Sequence, residues 1–286
     1  MRPLTIGAVA YDPKVVTIWE GFGGWLAGQD LPTDYVLYAN YERQVDGLLA
    51  GEVDVAWNSP LAWLETDRRA RSRGGAAVGF AMRDTDQDLT SVIVARADGP
   101  IRSLADLRGR RIAVGASDSP QATLIPLLRV HEAGVVPGRD VEVVGFEVAP
   151  GKHGDHVGGE RDAVRALVSG AVDAAALLDA NQLLFAREGT LPAGWARVVD
   201  RTAPFDHCLF TGLVGRREAD VARFGALLMS MSWDDPAVRP LLELEGLRAW
   251  RPGRTTGFDQ LARAVDTLEV PGAAAVRAFV AGGVGG

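Results

Sequence analysis

Residues 45–56 of this chain read V-D-G-L-L-A-G-E-V-D-V-A, residues 164–175 read V-R-A-L-V-S-G-A-V-D-A-A, and both fit V-x-x-L-x-x-G-x-V-D-x-A. The pattern predicts the end of an amphipathic helix, a glycine that terminates it and a short buried strand that opens with aspartate. The copies start 119 residues apart, which is too long a period for a solenoid. The repeat therefore predicts two similar α/β lobes, and clefts between lobes are where small ligands bind.

Strand and helix patterns alternate on both sides of each copy. Ser59-Pro60 and Ser119-Pro120 each predict a helix start, with serine as N-cap and proline at the first helical position. The predicted strands include 4–10, 35–38, 53–57, 90–96, 112–115, 141–148 and 210–214. Alternation of this kind predicts an α/β fold with largely parallel sheets that are covered on both faces.

Composition excludes several function classes. The formal net charge of −7 argues against nucleic acid as the main partner. No apolar run is long enough to span a bilayer, so membrane insertion is not expected. The single cysteine, Cys208, excludes an intramolecular disulfide.

The amino-terminal residues bear on the cellular compartment of the protein. A strand pattern begins at Leu4, and no basic segment followed by an apolar segment precedes it. As it stands, the sequence predicts a cytoplasmic protein. The alternative is a periplasmic or extracellular protein from which an export signal has been removed.

Three segments together resemble the phosphonate/phosphate/phosphite-binding family of ABC-transporter solute-binding proteins. N-Y-E-R-Q-V-D-G-L-L-A-G-E-V-D-V-A-W-N-S-P-L-A-W-L-E, at 40–65, is similar to the first-lobe signature of that family. V-I-V-A-R-A-D-G-P-I-R-S-L-A-D-L-R-G-R-R-I-A-V-G, at 92–115, resembles the hinge-and-entry segment of type II periplasmic solute-binding proteins. G-A-S-D-S-P-Q-A-T-L-I-P, at 115–126, occupies the place of the family's Ser/Thr-rich anion loop. The resemblance covers about residues 4–214.

The resemblance implies a two-lobed type II periplasmic-binding-protein fold with a ligand cleft between the lobes and two hinge crossovers. We place lobe 1 at residues 1–97 and 212–286 and lobe 2 at residues 98–211, with hinges near 94–98 and 203–211. The resemblance also implies ligand contacts at Tyr41, at Asn58 and Ser59, and within the loop 117–123.

The anion loop departs from the family pattern. The residues of this loop that we expect to contact ligand are Ser117, Asp118, Ser119, Gln121 and Thr123. A helix start attracts anions through its N–H groups and its dipole, but Pro120 lacks an N–H and Asp118 adds a negative charge. We therefore predict a small polar ligand that is not a simple phosphonate.

The loop Gly151–Glu160, G-K-H-G-D-H-V-G-G-E, is the most unusual segment of the chain. It holds two of the four histidines, and its glycines let the backbone approach a ligand closely. Three interpretations stay open: a ligand-contact or lid loop with His153 and His156, a solvated surface loop, or a metal or catalytic site. The set His153, His156 and Glu160 matches no strong zinc spacing, so neither a metal nor a cofactor is expected.

Further candidates lie near predicted strand ends. Tyr11 and Tyr41 follow strands whose carboxyl ends face the crevice in parallel sheets, and Asp179 follows the second repeat strand. His207 beside Cys208 suggests an activated thiolate. Neighbours in a strand point to opposite faces, however, so we predict an inert buried cysteine, with His207 facing the cleft.

Two functions compete. The first is a solute receptor that closes on a small polar molecule and works with an ABC permease, which is the partner that the resemblance implies. The second is a cytosolic biosynthetic enzyme on the same fold, which the lack of a recognisable export signal favours. Its acid–base candidates would be Lys14, Lys152, His153, His156 and Glu160.

Overall fold

Strands and helices alternate along most of the chain, as predicted. The computed structural model describes residues 2–148, 151–154 and 159–268. The strands are β1 (Leu4–Val9), β2 (Thr33–Tyr38), β3 (Val55–Asn58), β4 (Ala77–Arg83), β5 (Ser91–Arg96), β6 (Arg111–Val114), β7 (Glu142–Gly145), β8 (Ala174–Leu178), β9 (Ala196–Arg201), β10 (Leu209–Leu213) and β11 (Trp250–Pro252). The helices are α1 (Lys14–Ala27), α2 (Tyr41–Ala50), α3 (Pro60–Ser72), α4 (Ile125–Glu132), α5 (Glu160–Val168), α6 (Asp179–Glu188), α7 (Glu218–Ser230), α8 (Arg239–Glu245) and α9 (Asp259–Thr267).

The strands form two sheets. In the first sheet the order is β11-β4-β10-β3-β1-β2, and β1 runs parallel to both β2 and β3. In the second sheet the order is β7-β6-β8-β5-β9, and β6 runs parallel to both β7 and β8. Each parallel part is extended by antiparallel strands, β10, β4 and β11 in one sheet and β5 and β9 in the other. The prediction of largely parallel sheets therefore holds only for the part of each sheet built from βαβ units.

The chain divides into two compact units, one around each sheet. The first unit contains residues 2–87 and 206–258, and the second contains residues 88–205 and 259–268 among those described. Both crossings come earlier than the boundaries at 97/98 and 211/212 that the sequence suggested. The reason lies in strand pairing, because β5 pairs with β8 and β9 of the second sheet, whereas β10 pairs with β3 and β4 of the first.

The last described helix, α9, belongs to the second unit rather than to lobe 1, where the sequence placed residues 212–286. Its apolar side buries Leu261, Ala264 and Val265, and the helix packs against α4. Arg263 pairs with Glu132 of α4 at 3.4 Å, on the solvent side of the same contact. Burial of this apolar side explains the assignment, which the small-residue pattern of the C-terminal segment did not reveal.

The repeated phrase builds the same substructure in each unit. It ends α2 at Gly51 and the α5 segment at Gly170, and both glycines have the left-handed φ that other residues rarely adopt, +84° and +77°. Asp54 and Asp173 then act identically. Each aspartate donates its backbone N–H to the carbonyl of one residue in the neighbouring strand, Thr5 or Arg111, at 2.9 Å. Its carboxylate accepts the backbone N–H of the same residue, also at 2.9 Å. The repeated aspartate therefore has the same structural role in both units.

The two units bury different cores. The first is rich in aromatic residues and is centred on Phe210 of β10, whereas the second is mainly aliphatic, with Val92, Val94 and Leu177 among its fully buried members. Within the described ranges no helix has both the length and the apolar character needed to cross a bilayer.

Candidate functional site

In the first unit, aromatic side chains gather where β1 and β3 end. Tyr11 follows β1, Tyr41 opens α2, and both line a small cavity together with Trp57 and Glu245. Tyr41 is buried and Tyr11 is half-buried. Both tyrosines lie at the carboxyl ends of parallel strands, where α/β sheets bind ligands, as the sequence predicted. Their contact with a ligand stays a prediction.

The side chains of Asn58 and Ser59 make hydrogen bonds within the first unit. Gln44 donates its Nε2 hydrogen to Asn58 Oδ1 at 2.8 Å, and Asn58 Nδ2 donates to Thr66 Oγ1 at 3.3 Å. Ser59 Oγ accepts the Ala62 N–H at 3.2 Å and so caps α3 as predicted. Both residues are fully buried, and their ligand contact stays a prediction.

In the second unit, the loop after β6 forms the predicted helix start. Ser119 Oγ accepts the Ala122 N–H at 3.1 Å, and Pro120 begins a π-helical turn, Pro120–Leu124, that leads into α4. Thr123 donates its hydroxyl to the Ala116 carbonyl at 2.8 Å. The hydroxyl groups of both buried residues therefore already take part in hydrogen bonds inside the loop.

Two carboxylates lie against this helix start. Glu147 Oε1 accepts the Ser117 N–H at 3.0 Å. Asp118 Oδ2 accepts the Gly151 N–H at 2.9 Å and the His153 N–H at 3.3 Å. A backbone N–H that an anion-binding loop would offer to its ligand is thus donated to a carboxylate of the protein, and the loop carries negative charge.

The described part of the histidine-rich loop is held against the helix start. Gln121 donates its Nε2 hydrogen to the Gly154 carbonyl at 2.9 Å. Gly154 has a φ of +74°, and a Cβ atom at this position would lie 2.3 Å from Ser119 Oγ. Only glycine permits this approach, so residues 151–154 and the loop 117–123 pack against each other as one contiguous region of the second unit.

His153 is almost completely buried in this region. Burial lowers the pKa of its imidazole from 6.5 to about 3, because the charged form loses its hydration. At neutral pH the ring is therefore uncharged. It offers no positive charge to an anionic ligand.

We expect His153 to make folding sensitive to acid. The unfolded chain binds a proton on this histidine below pH 6.5, whereas the folded imidazole stays neutral down to about pH 3. Stability is therefore full above pH 6.5 and is lost as the pH falls through this window. Urea unfolding at stepped pH should give a shallower acid slope for His153→Gln than for wild type. His131→Gln, which changes a half-buried histidine of α4, should keep the wild-type contribution of His153, and equal slopes for wild type and His153→Gln would contradict the assignment.

The remaining candidates of the second unit are tied to structural partners. Asp179 pairs with Arg201, which also donates to Thr90. Glu160 is fully buried, and its Oε2 accepts the Leu178 N–H at 2.9 Å and an Asn181 Nδ2 hydrogen at 2.8 Å, which fixes the start of α6.

The proposed acid–base residues are distributed over both units. Lys14 is exposed at the start of α1 in the first unit, and Lys152 is half-buried in the second. His156 lies outside the described residues. The grouping of His153, His156 and Glu160 therefore stays a prediction.

The expectation that His207 and Cys208 point to opposite faces of a strand is wrong, whereas the ligand contact of His207 stays a prediction. Residues 206–208 precede β10 in irregular backbone, so their side chains need not alternate as they would in a strand. Cys208 Sγ lies 3.1 Å from His207 Nδ1, and the same nitrogen lies 3.6 Å from Asp86 Oδ1. Burial alone would raise the pKa of Asp86, but Arg83 and the His207 hydrogen bond lower it to about 2. Cys208 is buried, as expected.

Sequence reasoning missed two acidic residues of these regions. Glu147 fell inside the predicted strand 141–148, whereas β7 ends at Gly145 and leaves Glu147 in the following loop. Asp86 stands in a short 3₁₀ turn, Asp84–Asp86, more than a hundred residues from its partner His207. The glycine at position 145 was the available signal for the first. The sequence contains no signal for the second.

The chain shares its sequence pattern and its fold with proteins of one transporter class. Residues 8–259 match the model of a family described as ABC transporter, phosphonate, periplasmic substrate-binding protein. A probable ABC transporter phosphite binding protein, PhnD1 of Prochlorococcus marinus (strain MIT 9301), is 29% identical over 155 residues. That match includes 52% of this chain and 48% of the relative, so the chain matches about half the length of this curated relative.

Solved structures show the same fold at low sequence identity. XAC2383 from Xanthomonas citri, bound to ATP, has a TM-score of 0.70 and 19% identity, covering 98% of this chain and 100% of that one. PhnD1 from Prochlorococcus marinus (MIT 9301), in complex with methylphosphonate, has a TM-score of 0.66 and 17% identity, covering 92% and 97%. SsuA from Escherichia coli, a periplasmic aliphatic sulphonate binding protein, has a TM-score of 0.55 and 14% identity, covering 93% and 85%.

These likenesses confirm the predicted type II periplasmic-binding-protein fold, since each covers most of both chains. The family model matches well over half of the sequence, and its match includes both copies of the repeated phrase. The chain therefore belongs to the family of periplasmic substrate-binding proteins of phosphonate ABC transporters.

Proposed function

We propose that this chain is a solute receptor of the phosphonate-binding class whose ligand is a small polar molecule other than a simple phosphonate. The observation that carries the second half of the proposal is the pair of carboxylates at the helix start. Glu147 takes the Ser117 N–H, and Asp118 takes two N–H groups of residues 151–153.

The electrostatics of this loop oppose a dianion. A carboxylate about 5 Å from a phosphonate repels it by on the order of 3 kcal/mol for each unit of negative charge on the ligand, at an effective dielectric constant of 20. His153 adds no compensating charge, because its ring is neutral at physiological pH. A neutral group or a cationic group of the ligand would avoid the penalty. Methylphosphonate, which PhnD1 binds in its solved complex, is thus a poor ligand for this loop.

We expect phosphate, phosphite, methylphosphonate and 2-aminoethylphosphonate each to bind with a dissociation constant weaker than about 10 μM, or −6.8 kcal/mol. Isothermal titration calorimetry on the full chain measures this directly. A nanomolar constant for any of the four would overturn the proposed ligand class. Mass spectrometry of the small molecules that co-purify with the chain would identify the actual solute, and a receptor should release it chemically unchanged.

The double variant Asp118→Asn, Glu147→Gln tests the cause. We expect it to raise the affinity for methylphosphonate at least tenfold, because the two amides keep hydrogen-bonding oxygens and remove both charges. Glu20→Gln removes one exposed carboxylate of the first unit and should leave the affinity unchanged. If the double variant binds methylphosphonate no better than wild type, the carboxylates do not determine the ligand class.

The proposed partner is an ABC permease, and the proposed location is the periplasm, which the description of the family favours over the cytoplasm. Fractionation of cells that express the complete gene would locate the protein. We do not propose the enzymatic alternative, because Glu160 is engaged in backbone and amide hydrogen bonds and no comparison points to catalysis. The hinge closure implied by the resemblance stays a prediction.

A further inference from the structure

The first unit brings three side chains together that can each act as a metal ligand. Asp86, His207 and Cys208 offer one carboxylate oxygen, one imidazole nitrogen and one sulfur atom within 4.8 Å of one another. The Sγ–Nδ1 distance is 3.1 Å and the Nδ1–Oδ1 distance is 3.6 Å. All three residues are at least nine-tenths buried.

The backbone fixes this arrangement independently of the side chains. The His207 N–H donates to the Asp86 carbonyl at 2.8 Å, which joins the 3₁₀ turn to the segment before β10. His207 Nε2 is buried and has no hydrogen-bond partner in the described part of the chain. The imidazole is therefore not oriented by a second protein hydrogen bond, and its placement depends on the contacts of Nδ1.

The charges around the cluster favour a cation. Arg83 holds both oxygens of Asp86, at 2.6 and 2.9 Å, and also contacts Glu245 at 3.2 Å. The carboxylates of Asp86 and Glu245 thus share one guanidinium. Asp86 and Glu245 are both buried, so their negative charges favour a cation bound beside them.

We propose that Asp86, His207 and Cys208 form a binding site for a divalent transition-metal ion that accepts sulfur, nitrogen and oxygen ligands, such as Zn²⁺ or Co²⁺. At the usual bond lengths of such ions, the ligand atoms of a tetrahedral site stand about 3.3–3.6 Å apart, close to the two measured separations. Binding replaces the thiol proton of Cys208, which is released to solvent as the Sγ–metal bond forms. The fourth position is left for water or a polar group.

The charge count then closes. A divalent ion balances the carboxylate of Asp86 and the thiolate of Cys208, while Arg83 and Glu245 balance each other. The rival explanation is that His207 Nδ1 only makes polar contacts with Asp86 and Cys208, with no metal involved. The two explanations differ in whether a metal–sulfur bond can form.

Titration of the chelator-treated full chain with Co²⁺ distinguishes them. We expect one Co²⁺ per chain, with the near-ultraviolet thiolate-to-cobalt charge-transfer band and the strong visible bands of tetrahedral cobalt, both abolished by Zn²⁺. Cys208→Ser should lose the charge-transfer band, and His207→Gln should bind at least 100-fold more weakly, since even outer-shell changes cost 10–100-fold. His131→Gln should behave as wild type.

The result that would overturn the proposal is the absence of a charge-transfer band in wild type at saturating Co²⁺, or equal binding by wild type and Cys208→Ser. If either variant fails to fold, the wild-type spectrum decides alone. A rise in the unfolding midpoint with Zn²⁺ concentration, as mass action requires, provides a second measurement. No solute is added in these experiments, so their outcome is independent of the proposed ligand class.

Discussion

Phe210→Ala is expected to destabilise the chain by about 3–5 kcal/mol, the usual cost of deleting a fully buried phenylalanine. Phe210 lies on β10 between β3 and β4 and has no exposed surface. Its ring centroid lies 4.9–5.8 Å from those of five aromatic neighbours, which are Trp19, Trp57, Phe80, Phe224 and Trp250. Alanine would leave a cavity lined by large rigid rings, which cannot collapse to fill it.

Thermal unfolding followed by circular dichroism measures the effect. A loss of this size should lower the midpoint by on the order of 10 °C in a chain of this length. Val214→Ala, one residue beyond β10 and 58% exposed, should change stability by less than about 0.5 kcal/mol. Equal midpoints for Phe210→Ala and Val214→Ala would mean that the aromatic core does not hold the first sheet together.

The local elements were predictable because their signals are local. The Ser-Pro starts at residues 59–60 and 119–120 lie where serine capping and proline geometry require them. The boundaries between the units were not predictable in the same way. An apolar run such as β5 fits either sheet, and only its pairing with β8 and β9 assigns it to the second.

In the candidate site, too, local features could be predicted from the sequence and long-range contacts could not. The position of the helix start followed from the order of motifs, and Asp118 was visible beside it. Glu147 can accept the Ser117 N–H only because β7 ends at Gly145. The alternation of apolar residues does not define that boundary. The contact of Asp86 with His207 joins segments that are far apart in sequence, and the strand periodicity assumed for residues 206–208 separated His207 from Cys208.

Asp54→Ala is expected to cost about 3 kcal/mol of stability, and Asp173→Ala, at the equivalent position of the repeat, about 1 kcal/mol. Both aspartates accept an N–H of the neighbouring strand at 2.9 Å. They differ in burial, since the Asp54 side chain is 6% exposed and that of Asp173 is 34% exposed. They also differ in charge partners. Arg2 and Arg217 lie 2.6 and 3.1 Å from Asp54, whereas Arg110 lies 3.9 Å from Asp173.

The difference between the two variants measures what burial and the ion pairs together add to one shared motif. Loss of Asp54 leaves the Thr5 N–H without its acceptor and removes one partner of the mostly buried Arg217. Arg217 keeps Asp220 at 2.9 Å and the Pro3 carbonyl at 2.7 Å, which limits the cost. Asp54→Asn should fall between wild type and Asp54→Ala, because an amide oxygen can still accept the Thr5 N–H. Urea unfolding of the four proteins gives the order directly. If Asp173→Ala costs as much as Asp54→Ala, the two hydrogen bonds that each aspartate makes to the neighbouring strand stabilise the strands, and the buried ion pairs add nothing. If neither change has a cost, the repeated aspartate does not hold the strand pairs together.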